Sequence, residues 1–152
     1  MTQTSTKVYQ RFLTVDKAGT DQDTLTLSFS SETEVQRAFG TEILSHDESA
    51  ADLSRFNDSA PVLWSHDPTQ QIGVINRAWI ENRKGYAQIS FGNSAKAQEV
   101  KADVEAGIIR NVSIGYSIEK MEEDEEGRMI ATRWRALELS FVSVAADASV
   151  GV

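Results

Sequence analysis

Apolar residues fall at every second position over residues 24–30. Leu25, Leu27 and Phe29 share one face, and Thr24, Thr26 and Ser28 the other. A period of two predicts a half-buried strand. Residues 7–15 alternate less regularly, with Val8, Phe12 and Val15 apolar, and residues 17–23 (Lys-Ala-Gly-Thr-Asp-Gln-Asp) form a turn cluster. The two runs therefore read as a hairpin behind a loose polar start over residues 1–6. The tetrad Ser31-Glu-Thr-Glu34 has the form of a capping box. It predicts a short helix with Val35, Ala38 and Phe39 on its apolar face and Gly40 as its stop. Residues 41–44 read as a short strand. Residues 45–60 hold Asp47, Glu48, Asp52 and Asp58 and read as a functional or mobile loop, with a helical turn near residues 50–56.

Residues 61–64 (Pro-Val-Leu-Trp) open a buried run that ends at Ser65-His-Asp-Pro68. Residues 72–80 and 85–91 read as paired strands joined over 81–84. Asn93 and Ser94 cap a helix running to Ala106, with Ala97, Val100 and Val104 inward and Gly107 as the stop. A β-type run follows over 110–116 (Arg-Asn-Val-Ser-Ile-Gly-Tyr). Glu119 to Gly127 contains six acidic residues and reads as a solvated hairpin tip. Residues 129–134 and 136–145 are the closing strands. Many short strands with two helices predict an α+β domain, its β-barrel-like closed sheet carrying helices packed outside. The length of 152 residues fits one domain, 1–152, with a real core.

Composition narrows the chemistry. The absence of cysteine excludes disulfides, thiolate metal sites and a cysteine nucleophile, and suits a reducing compartment. A net charge of -8 disfavours nucleic-acid binding. No apolar run spans a bilayer and no signal-peptide core is present, so no membrane partner and a cytoplasmic setting are expected. No glycine-rich phosphate loop suggests a cofactor. The two histidines, His46 and His66, stand twenty residues apart without metal-ligand spacing. Trp64, Trp79 and Trp134 are too dispersed for a stacking platform and are expected in the core.

Ser113 is a serine inside an apolar run, with Gly115 two residues on to admit a backbone or substrate closely. A serine nucleophile needs a base, most often an imidazole. His66 lies where an apolar strand opens into a loop; His46 lies among acidic loop residues, so His66 is preferred. The plainer reading of His66 is a strand-end histidine bonded to Asp67. The base in turn needs an orienting group. Glu138 lies among Leu137, Leu139 and Phe141, where a buried carboxylate requires a partner. A salt bridge to Arg133 or Arg135, or an outward place on an edge strand, would explain it equally. Asp67 is a second candidate orienter.

Five segments in order resemble the prohead (procapsid maturation) proteases of tailed bacteriophages. They are 52–55 (Asp-Leu-Ser-Arg), 60–67 (Ala-Pro-Val-Leu-Trp-Ser-His-Asp), 72–75 (Ile-Gly-Val-Ile), 110–116 and 133–147. That family is related in fold to the herpesvirus assembly proteases. The resemblance runs from about Glu42 to the C-terminus. It implies a serine endopeptidase on a β-barrel surrounded by helices, with His66 as base, Ser113 as nucleophile and Glu138 as the third member. The herpesvirus relatives place a second histidine last, and His46 does not fit that position. Family members often read Pro-Ala where this chain has Ala145-Ala146. The resemblance further implies cleavage of scaffold or major capsid protein, and of the enzyme itself, inside the assembling procapsid in the host cytoplasm. Close relatives carry the domain at the head of a longer protease–capsid polypeptide, which the abrupt end of this chain fits. Homo-oligomerisation and the oxyanion donors, near Arg133–Arg135 or Gly115, stay open. A catalytically inactive scaffold or capsid-assembly domain, and a small-molecule binding barrel, are the competing readings.

Overall fold

The computed structural model describes residues 24–143 and, as backbone alone, residues 8–14. The expectations for residues 1–6, for the turn cluster at 17–23 and for Ala145-Ala146 lie outside the described residues. Ten strands and one helix follow in order. They are β1 (Val8–Thr14), β2 (Thr24–Ser31), β3 (Val35–Arg37), β4 (Gly40–Leu44), β5 (Ala51–Asp52), β6 (Pro61–Trp64), β7 (Asp67–Glu81), β8 (Lys84–Phe91), α1 (Ala95–Glu105), β9 (Asn111–Glu123) and β10 (Met129–Val142).

The expected α+β closed barrel with helices outside is not what forms. About 60% of the described residues are in strands, these residues hold a single helix, and the sheet is open. Its main path is β1-β9-β10-β6-β7-β8-β2. The first two strands do not make a hairpin. β1 pairs antiparallel with β9 and β2 with β8, so they stand at opposite ends of the path. Alternation in each strand is local and legible; the partner that completes its ladder is not.

The helix expected after Ser31 is replaced by the hairpin β3–β4, which Gly40 enters with a φ of 128°. Of the three apolar positions only Val35 is buried, while Phe39 is 47% exposed. Glu34, assigned to a capping box, instead accepts from Arg128 Nη1 at 2.8 Å. β4 then pairs parallel with β10, which buries Leu44.

Both long hairpins turn on two residues with positive φ. Ser65 (54°) and His66 (59°) join β6 to β7; Asn82 (49°) and Arg83 (59°) join β7 to β8. Two successive left-handed residues match the right-handed twist of the paired strands. Without glycine each costs roughly 1–2 kcal/mol, so the flanking ladder must hold the turn.

The helix α1 forms as expected. Ser94 Oγ accepts from the Ala97 N–H, and Ala97, Val100 and Val104 are buried. It stops at Gly107, φ 76°, where Gly107 N–H donates to Val104 O and Ile108 N–H to Asp103 O. This paired closure satisfies two of the carbonyls left free by the helix end. The chain is thereby released directly into β9. β10 is the centre of the sheet beside it, with β9 antiparallel on one side and β6 parallel on the other.

Trp134 is fully buried, Trp64 packs against the core, and Trp79 stacks on Tyr86 under the Arg77 guanidinium. Only the first is a core tryptophan in the full sense. The acidic stretch is a hairpin tip as expected, but a structured one. Asp124 accepts from the backbone N–H of Glu126 and Arg128 and from Arg128 Nε.

Candidate active site

Three adjacent strands bring together residues distant in sequence. Ser113 lies on β9, Glu138 on β10, and His66 in the turn that ends β6. In the β9–β10 ladder Ser113 is opposite Ser140, and Gly115 is opposite Glu138. In the β10–β6 ladder Ser140 is opposite Leu63 and Phe141 opposite Trp64, so the Ser65-His66 turn sits at the same level.

A bulge sets the face on which Glu138 lies. The register shifts between Ala136 and Glu138, leaving Leu137 as the extra residue. Before it, Trp134 and Ala136 belong to the hydrophobic core; after it, Leu139 and Phe141 do. The inward parity changes from even to odd numbers, because successive strand residues alternate in face. Glu138 and Ser140 therefore leave the core face. On β9 the core takes Val112, Ile114 and Tyr116, which puts Ser113 and Gly115 on the same side as Glu138.

The side chains form one hydrogen-bonded chain. The Nε2 of His66 lies 2.8 Å from Ser113 Oγ, and Nδ1 is paired with Glu138 Oε1. A carboxylate can only accept, so Nδ1 carries the proton toward Glu138. Nε2 is then left with a lone pair toward the serine hydroxyl. Such a chain can take a proton from the serine oxygen and stabilise the imidazolium that results. Ser140 Oγ donates to the other carboxylate oxygen, Oε2, at 2.8 Å, and accepts from the His66 N–H at 3.0 Å. Ser113 and Ser140 are both 0% exposed, whereas the side chains of His66 and Glu138 keep 16% and 19% of their surface.

Glu138 pairs with neither nearby arginine. Arg133 and Arg135 bind Asp52 and Glu119 instead. β10 is a central strand, so Glu138 is not an edge residue. Asp67 is turned to its own backbone, accepting from the Thr69 hydroxyl and N–H. Those two bonds, the hydroxyl first, hold its carboxyl below the usual range. His46 is remote from the chain in bonding terms. It is buried, its Nε2 meets Ser30 Oγ at 2.7 Å, and its Nδ1 donates to Leu44 O at 2.8 Å. It also lies against Trp134.

Gly115 serves a different neighbour than expected. A Cβ there would stand 2.7 Å from Glu138 Oε1, so the close approach is that of the carboxylate. Tyr116 next to it turns to the core, where its hydroxyl meets Arg37 and the fully buried Glu42. Ser140 does not stand out from residue types alone. Its one signal in the sequence is the spacing Glu-x-Ser, which sets two polar side chains on one face of an otherwise apolar strand. Among the described residues no three His, Asp or Glu side chains come together as a metal-ligand set. None of the described helices is long and apolar enough to cross a membrane.

Known proteins share both the sequence pattern and the fold. A major capsid protein of Halomonas phage phiHAP-1 is 44% identical over 135 residues, covering 83% of this chain and 22% of that relative. The chain thus spans under a quarter of the relative's length. The solved structure of the bacteriophage T4 capsid assembly protease shares the fold, with a TM-score of 0.61 over 90% of this chain and 98% of that one, at 14% identity. The family model described as Caudovirus prohead serine protease matches residues 17–150, and the chain belongs to that family.

Proposed function

We propose that the protein is a serine endopeptidase of phage capsid maturation, with Ser113 as nucleophile, His66 as general base and Glu138 as the orienting acid. The observation that carries this reading is the Ser113 Oγ–His66 Nε2 separation of 2.8 Å, with the opposite imidazole nitrogen held by Glu138. Ser113 Oγ attacks the scissile carbonyl carbon as its proton passes to His66 Nε2. The imidazolium, stabilised by Glu138, then returns that proton to the leaving amine as the tetrahedral adduct collapses to an acyl-enzyme. Water, deprotonated by the same nitrogen, releases the acid product and restores Ser113.

The relatives support a substrate class for this reading. A capsid protein with a matching stretch, and a capsid assembly protease of the same fold, support scaffold or major capsid protein as substrate and the interior of the assembling procapsid, within the host cytoplasm, as the place of action. The same relative, longer than this chain, supports the domain, 1–152, as one part of a longer protease–capsid polypeptide; self-cleavage of that polypeptide is part of the proposal. The complete burial of Ser113 favours a second reading, an inactive capsid-assembly domain of the same fold. The deciding experiment is labelling by a fluorophosphonate together with cleavage of capsid protein. Both are expected in the wild type and lost in Ser113→Ala. A wild type that neither labels nor cleaves would establish the inactive domain.

A further inference from the structure

The geometry points to Ser140 as a positioning residue that fixes the acid and the base of the proposed site through a single hydroxyl. This rests on the protease reading above. A buried hydroxyl must find partners, and this one, 0% exposed, uses both of its functions within the site. It donates to Glu138 Oε2 at 2.8 Å and accepts from the His66 N–H at 3.0 Å.

Each bond removes a freedom that the proton transfer cannot tolerate. Glu138 presents Oε1 to the His66 ring, so rotation about its last torsion would carry that oxygen away. Such sp³–sp² torsions are broad and softly held. The Ser140 bond to Oε2 pins the carboxylate plane. At the other end, His66 stands in a left-handed turn without glycine, with φ 59°. The bond from its N–H to Ser140 ties that backbone to β10. Ser140 lies opposite Ser113 in the β9–β10 ladder, so the strand that carries the nucleophile also sets the level of the clamp. Ser140 does not touch the reacting atoms; it acts through Glu138 and His66.

The test is the second-order rate at which a fluorophosphonate labels Ser113 in this chain, with Ser113→Ala as the blank. It is read beside the melting temperature and the low-field proton signal of His66 Nδ1–H. Ser140→Ala is expected to slow labelling by about 10- to 100-fold per folded molecule, the scale of a misplaced catalytic group, and to shift or broaden the low-field signal. Ser140→Cys keeps the volume and a weak donor, and is expected to label at a rate between the two with a melting temperature near the wild type. Should the alanine variant not fold, the cysteine variant carries the test alone. Wild-type rates and an unshifted signal in a folded variant, with the Ser113→Ala blank clean, overturn the role of Ser140 and leave Ser113 as nucleophile. Labelling that persists in Ser113→Ala overturns the proposed function, and the assignment of Ser140 with it.

Discussion

Gly115 and Glu138 oppose one another on β9 and β10, and a methyl group at residue 115 would stand 2.7 Å from Glu138 Oε1. Gly115 has no positive φ, so alanine meets no backbone strain and its whole effect is steric. Gly115→Ala is expected to push the carboxylate off the His66 ring. Labelling of Ser113 by a fluorophosphonate should fall about 100-fold, the order expected for an ångström-scale displacement, in a protein that still folds. Wild-type labelling would mean that the carboxylate can shift without loss.

The bulge at Leu137 yields a second prediction. The extra residue turns Glu138 and Ser140 away from the core side of β10. Deleting Leu137 should restore alternation across this point and flip one half of the strand, because a slip of one residue moves every side chain to the other face. Either Glu138 and Ser140 enter the core or Leu139 and Phe141 leave it. Both outcomes are expected to abolish labelling and to lower the melting temperature substantially. By contrast, Leu137→Ala keeps the count of residues and should retain most of the activity.

These two relationships mark what the sequence could and could not disclose. The strands of Leu25-Leu27-Phe29 and of Val112-Ile114-Tyr116 were legible because their period is a property of the local chain. So was α1, whose two ends are signed by Ser94 and Gly107. The order of strands was not legible. β1 and β2 alternate next to each other in sequence but find partners at opposite ends of the sheet path, β9 and β8. The segment after Ser31 misled for the same reason. Its glutamates look like helix caps, yet Glu32 accepts the His46 N–H and Glu34 binds Arg128. The candidate residues Ser113, His66 and Glu138 could be named from residue types and resemblance. The clamp by Ser140 and the carboxylate behind Gly115 required the register of three strands.

Acid should reveal the ion pairs at the β5–β10 contact. Asp52 accepts from the Ser54 hydroxyl and N–H and pairs with Arg135 at 3.1 Å. The Ser54 hydroxyl above all, then its N–H and Arg135, hold the Asp52 carboxyl below its usual range against a partial desolvation that would raise it. A carboxyl depressed in the folded state stabilises above its unfolded value, about pH 4, and loses that contribution as pH falls through the folded value. Asp52→Asn is therefore expected to melt below the wild type at neutral pH, with the gap closing as the pH falls below about 4. Thermal melts of both proteins across that range check the sign. A gap that widens on acidification would contradict it.

Glu138→Gln separates charge from shape at the proposed site. The side chain keeps its size but must place an amide where two oxygens stood. If the amide oxygen faces His66, the nitrogen faces Ser140, and the serine hydroxyl loses its acceptor. If the amide nitrogen faces His66, it donates to Nδ1 and forces the proton to Nε2, the tautomer that cannot accept from Ser113. In both cases the negative charge that stabilises the imidazolium is gone. Loss of the orienting acid's charge in a Ser-His-acid triad costs about 10⁴-fold, and a drop of roughly 10³- to 10⁴-fold in cleavage per folded molecule is expected here. Arg133 and Arg135 pair elsewhere, with Asp52 and Glu119, so the melting temperature should move by only a few degrees. Cleavage rate and melting temperature are measured on the same sample. A fully active, stable variant would remove Glu138 from the mechanism and leave Ser113 and His66 to act as a dyad.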